Sequence, residues 1–163
     1  MITALTSISQ ATYVLSFTIF SLLRTKNYLI VYWNGQPIFN ALPTPNGISY
    51  KLTLSSQIGL NNLTFTTSNT DRLPISLALI NLAPLYNPPV NVRNFVNNGD
   101  FSKSTPSNNL RTFIDGWTGQ NFMVNAINST LNYAVLTGKS QLSQFFTFNR
   151  NNRLWPTPSP KLK

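Results

Sequence analysis

Catalysis and metal binding need side chains that move protons or electrons or hold cations, and this 163-residue sequence has few of them. It contains no Cys and no His, and its three acidic residues are Asp71, Asp100 and Asp115. Without a thiol or an imidazole there is no thiolate nucleophile, no disulfide, no His acid–base pair and no Cys/His metal site. Glycosidase chemistry requires two opposed carboxyl groups, but the three Asp residues are scattered and each stands in a turn-like setting. A Ser/Lys mechanism would call for an S-x-x-K element opening a helix, and nothing in the chain supplies that context. The expectation is a protein that is not an enzyme.

The formal net charge of +9 and isoelectric point of about 10.3 invite a nucleic-acid or anionic-surface reading. The distribution argues otherwise, because Arg24, Lys26, Lys51, Arg72, Arg93, Lys103, Arg111 and Lys139 are spread singly. Charge gathers only at the C-terminus, in Arg150, Arg153, Lys161 and Lys163, with no acid after Asp115. This stretch reads either as a solvated basic tail or as an arm that docks on an acidic neighbour or on nucleic acid.

The elements that would position any site are strands. Apolar residues make up 42% and aromatics 12% of the chain, enough for a packed core, while charged residues are 9% against about 25% in an average soluble domain. Asn, Ser, Thr and Gln must supply the polar surface, which favours sheets over exposed helices. Alternating runs predict strands at Thr12–Phe20, 28–33, Gln36–Ala41, Ile48–Ser55, 62–67 and 75–82, and then at 121–127, 133–137 and 141–148. Asn34-Gly35 predicts a type I′ hairpin turn, and Pro37 makes the returning strand an edge or marks its start. Residues 84–92 read as a linker-like break, 102–109 as a polar loop, and 149–163 as an extended Pro-rich tail. No helix is expected. The apolar run 13–23 lacks a preceding cationic region and is too short to span a bilayer, so it reads as a buried strand. Asn62-Leu63-Thr64 and Asn128-Ser129-Thr130 are glycosylation triplets of the kind an Asn-rich chain contains by chance.

Two blocks of motifs give the chain a family resemblance. The second block has Val96-Asn97-Asn98-Gly99-Asp100-Phe101, then Gly116-Trp117, then Leu142-Ser143-Gln144-Phe145. In this it resembles the opening of a galactose-binding-like jelly roll, as found in carbohydrate-binding modules. The first block, with Tyr13–Phe17, Val31–Ile38, Asn61–Phe65 and Ile80–Tyr86, looks like the later half of the same domain. The resemblance implies an all-β antiparallel sandwich with its halves in permuted order: 1–87 and 94–148 as the two blocks, 88–93 as linker, and 149–163 as tail. Such a chain is either a circular permutant, or half of a strand-swapped polymer, or a fragment of a longer array.

In carbohydrate-binding relatives, exposed aromatics stack on sugar rings. The resemblance therefore nominates Trp33, Tyr32 and Trp155, the last also as a docking anchor, with Trp117 expected in the core. It also implies a structural calcium near the first strand, to which Asp100 alone could contribute; otherwise no cofactor is expected. Three functions follow as expectations. The first is a structural or assembly protein, such as a minor component of a virus particle or another large shell, located in a virion or a surface assembly and contacting other subunits. The second is a carbohydrate-binding module, and the third a nucleic-acid binder acting through the basic tail.

Overall fold

The computed structural model describes residues 12–57, 59–85 and 94–148. Among them there are nine strands and no helix, so none is long and apolar enough to cross a membrane. Strand β1 (Thr12–Phe20) buries every second side chain, Tyr13, Leu15, Phe17 and Ile19, as its alternating sequence requires. It is followed by β2 (Leu29–Trp33), β3 (Gln36–Ala41), β4 (Ile48–Ser55), β5 (Gly59–Thr67) and β6 (Ile75–Pro84). The later part of the chain supplies β7 (Ser107–Ile114), β8 (Trp117–Ala126) and β9 (Asn132–Phe148). Asn34 and Gly35 both have positive φ, 52° and 78°, the requirement of the expected type I′ turn between β2 and β3.

All pairings are antiparallel, and the order runs β3-β2-β5-β9-β6-β1-β4, with β8 also on β9 and β7 on β8. The two sequence blocks thus form one sheet, because β9 from the second lies between β5 and β6 from the first. The sheet curls into a sandwich at a corner shared by β8 and β9. One half of β9, through Ala134–Leu136, runs between β6 and β8; its other half, from Gln141, pairs β5. The bends sit at Asn121 and Lys139, both in the left-handed region at φ 54° and 47°. There the fully buried Ser140 hydroxyl accepts a hydrogen bond from Thr137 N and shares its proton between the carbonyls of Thr137 and Asn121.

Folding the sheet over brings the inner faces of both arms into one core. Phe17 on β1 meets Phe65 on β5 edge-on at 5.4 Å although two strands separate them in the sheet. Trp117 fills the space between Phe65 and Phe101. At one end Tyr13 stacks on Phe148 at 4.6 Å, so the first and last described strands meet there. Burial pushes the Tyr13 phenol above its ordinary pKa, with a hydrogen bond involving Ser56 pulling the other way.

Three expectations need correction. Residues 107–109, read as loop, open β7: their weak strand propensity is overridden by pairing with β8, at the cost of two register shifts. The strands expected at 133–137 and 141–148 are one 17-residue strand, which the bend at Lys139 keeps continuous. The strand expected from 121 begins at Trp117 and carries the Asn121 bend inside it. Most of the expected break at 84–92, from residue 86 onward, lies outside the described residues.

Candidate functional site

One face of the curled sheet, formed by β3, β2, β5, the second half of β9, the start of β8 and β7, points outward and presents a continuous cross-strand row. Pro37 is opposite Tyr32, Tyr32 opposite Thr64, Thr64 opposite Ser143, Ser143 opposite Thr118, and Thr118 opposite Phe113. Directly paired residues share a face. With strands about 4.8 Å apart, the four steps from Tyr32 to Phe113 cover about 19 Å. A second row alongside runs Ile30, Thr66, Gln141 and Gln120, and on the other flank Asn62 is opposite Phe145.

Exposure varies across this face. Thr64 and Ser143 are 8% and 6% exposed although both sit at outward positions, and their hydroxyls bond to each other at 2.8 Å. Gln141 reaches over them, donating from Nε2 to Ser143 Oγ at 3.2 Å. Phe113 and Phe145 stand proud at 64% and 55% exposure. The result is an outward face of hydroxyl, amide and aromatic side chains. None of the side chains named on it is charged.

Strands β8 and β9 approach closely at this face. A Cβ at Gly119 would lie 1.9 Å from the Gln141 carbonyl oxygen, so only glycine lets β8 lie against β9 here. The Tyr32 end is fixed by the hairpin: Asn34 N donates to Asn62 O, Asn62 N donates to Asn34 Oδ1, and Asn34 Nδ2 donates to the buried Asn61 Oδ1. Behind this face, Gln144 points inward from β9. Its Oε1 accepts from Asn97 N, and its Nε2 donates to the carbonyls of Asn97 and Gly116.

Of the residues nominated from sequence, Tyr32 lies on this face and is half-buried. Trp33 does not, which corrects its candidacy. It is 6% exposed, its Nε1 donates to the Ser55 carbonyl, and its ring packs near Phe146. It shares parity with Leu29 and Val31, so the same alternation that makes the strand turns it inward. Trp117 is fully buried and donates to Asn98 O, as expected of a core residue. Trp155, Arg150, Arg153, Lys161 and Lys163 lie outside the described residues.

Asp100 is an exposed turn residue whose Oδ1 accepts from the backbone and hydroxyl of Ser102. Among the described residues no three His, Cys, Asp or Glu side chains come together. Calcium takes six to eight oxygens, usually several of them carboxylate, and a lone carboxylate engaged in its own turn does not fit that requirement. Phe145 and Phe113 were not nominated from sequence. Phe145 shares parity with Ser143 and Thr147, the polar face of β9, and this marked it as outward. Phe113 follows the register shifts of β7, which erase the alternation that would have shown its direction.

No family model matches the chain, and neither a curated protein nor a solved structure matches it. The likeness to galactose-binding-like domains therefore rests on the motif residues themselves.

Proposed function

We propose that the protein is a non-enzymatic binding module that takes an uncharged glycan across the outward face between Tyr32 and Phe113. The observation that carries this reading is the uncharged row Tyr32–Thr64–Ser143–Thr118–Phe113, flanked by Phe145 and Gln141. Aromatic faces stack on the apolar face of a sugar ring, while hydroxyls and amides match its hydroxyl groups. A length of about 19 Å suits a chain of several sugar units better than a single one. The absence of Cys, His and Glu from the sequence supports binding without turnover.

The test is pull-down on insoluble neutral polysaccharides together with a glycan array, using Phe113→Ala, Phe145→Ala and Tyr32→Ala. Each substitution is expected to weaken binding about three- to tenfold, the range for a lost aromatic contact. No binding to any neutral glycan, or binding indifferent to all three substitutions, would sink this reading.

A second reading, a structural unit of a virus particle or other large shell, has its own support in the open strand β7. Edge strands β3 and β4 carry Pro37 and Lys51, residues that discourage strand addition. Strand β7 instead exposes Leu110 and Phe113, at 59% and 64%. Light scattering on the purified protein distinguishes the two: a monomer at all concentrations argues against assembly through β7.

A further inference from the structure

The end of the sandwich away from Tyr13 and Phe148 is built from loops 21–28, 42–47 and 68–74 and the β9 bend at 137–140. These pieces are tied together. Ser21 N donates to Thr44 O, and its hydroxyl faces the carbonyls of Leu23 and Pro74. Asn27 Nδ2 donates to the carbonyls of Asp71 and Leu73, and Gly138 lies so close to Asn69 that a Cβ would come within 2.5 Å of its Oδ1.

On this braced base, Leu22 and Leu23 point into solvent at 76% and 54% exposure, with Leu42 at 55% on the adjoining loop. Adjacent leucines at a loop tip contribute nothing to the core and leave apolar surface in water. Around them stand the exposed cations Arg24, Lys26, Arg72 and Lys139. The acid at this end is Asp71, whose carboxylate accepts from Thr25 Oγ1, Lys26 N and Leu73 N. Among the described residues the one ion pair is Lys103–Asp115, elsewhere on the molecule; Asp71 feels the Lys26 charge, and Arg24, Arg72 and Lys139 form no ion pair with a described carboxylate.

We propose that this end docks on anionic lipid bilayers, with Leu22 and Leu23 entering the boundary between headgroups and acyl chains. Arg24, Lys26, Arg72 and Lys139 then face the anionic headgroups. Exposed aliphatic side chains ringed by cations match the two contributions that hold a peripheral protein at a bilayer, apolar burial and attraction to anionic lipid. A nucleic acid would satisfy the cations but offer nothing to the two leucines. Because hydrogen bonds already hold the loop, docking orders little new chain, and the short apolar reach makes the attachment reversible. This inference does not depend on the glycan reading, which concerns another face.

Cosedimentation of the full chain with vesicles tests it, comparing pure phosphatidylcholine with vesicles containing about 30% phosphatidylserine. Partition onto the anionic vesicles is expected to be at least about 30-fold higher, at about fivefold per cation for two or more cations near the surface. The Leu22→Ser/Leu23→Ser protein is expected to lose about tenfold. The Arg24→Gln/Lys26→Gln protein is expected to lose about 30-fold. These side chains are exposed, so thermal midpoints should stay at the wild-type value. As an independent readout, a Leu22→Trp protein should show blue-shifted emission on anionic vesicles, quenched by brominated acyl chains. Equal partition onto neutral vesicles would overturn the proposal. So would wild-type binding by both double variants with loss on deleting 149–163, which would assign lipid binding to the basic tail.

Discussion

Gln144 offers the sharpest check on how the second sequence block is held together. Its buried amide sits on β9, yet all three of its hydrogen bonds go to the segment around Asn97 and to the β7–β8 turn at Gly116. Replacing it by leucine keeps most of the volume but leaves Asn97 N–H, Asn97 C=O and Gly116 C=O without that partner. An unsatisfied buried polar group costs about 1–3 kcal/mol. Asn97 is itself exposed and Gly116 only partly buried, so water restores part of the loss. A net destabilisation of about 2–4 kcal/mol follows. For a chain of this size that lowers the thermal midpoint by about 5–15 °C. Urea unfolding followed by tryptophan fluorescence measures it, since Trp117 donates to neighbouring Asn98 O and reports on the same region. The denaturant slope should be unchanged, because the surface exposed on unfolding is the same. Gln144→Glu should do worse at neutral pH, as the introduced carboxylate would face two carbonyl oxygens in a buried site. Its folded-state pKa would be raised, so the variant's deficit relative to wild type should grow as pH rises through the ordinary glutamate range and shrink below it. A loss under about 1 kcal/mol for Gln144→Leu at constant slope would refute this account of the amide as the link between β9, the Asn97 segment and the β7–β8 turn.

Two glycine substitutions should separate steric from conformational cost. Gly119→Ala forces a Cβ to 1.9 Å from Gln141 O and should cost about 3 kcal/mol or prevent folding. Gly35→Ala meets nothing within 4 Å and carries only the positive φ of 78°, so about 1 kcal/mol is expected in the same unfolding assay. Asp71 should give an acid-sensitive loop. Burial opposes its ionisation, but hydrogen bonds from Lys26 N, Thr25 and Leu73 N and the Lys26 charge outweigh it and hold the pKa below the ordinary value. A lowered folded-state pKa means the contribution is present above the unfolded-state value near 3.9 and is lost as pH falls through the folded one. Asp71→Asn should therefore unfold with a shallower dependence on pH below about 4, checked by thermal melts across pH. Trp33→Ala should behave as a core truncation, costing about 3–5 kcal/mol; glycan binding per folded molecule should be unchanged, and a selective loss of binding would reinstate Trp33 as a contact residue.

The sequence by itself determined which chemistry is missing and where most strands lie. Alternation of apolar and polar side chains is local, so Thr12–Phe20, Gln36–Ala41 and Ile48–Ser55 were legible to the residue, and Asn34-Gly35 announced its turn because few other pairs tolerate positive φ twice. Alternation also fixed which residues share a face, and thereby grouped Trp33 with Leu29 and Val31, and Phe145 with Ser143. What it could not supply was pairing between distant segments. That β9 lies between β5 and β6 depends on contacts about 80 residues apart in the case of Thr64 and Ser143, and no local propensity encodes them. The bends at Asn121 and Lys139 are likewise tertiary. Neither residue is a glycine, and each adopts a left-handed conformation because closing the sandwich and the Ser140 hydrogen bonds offset the local strain. Only that closure aligned Tyr32, Thr64, Ser143, Thr118 and Phe113 in a single row, and gathered Leu22, Leu23, Leu42, Arg72 and Lys139 from four separate stretches at one end.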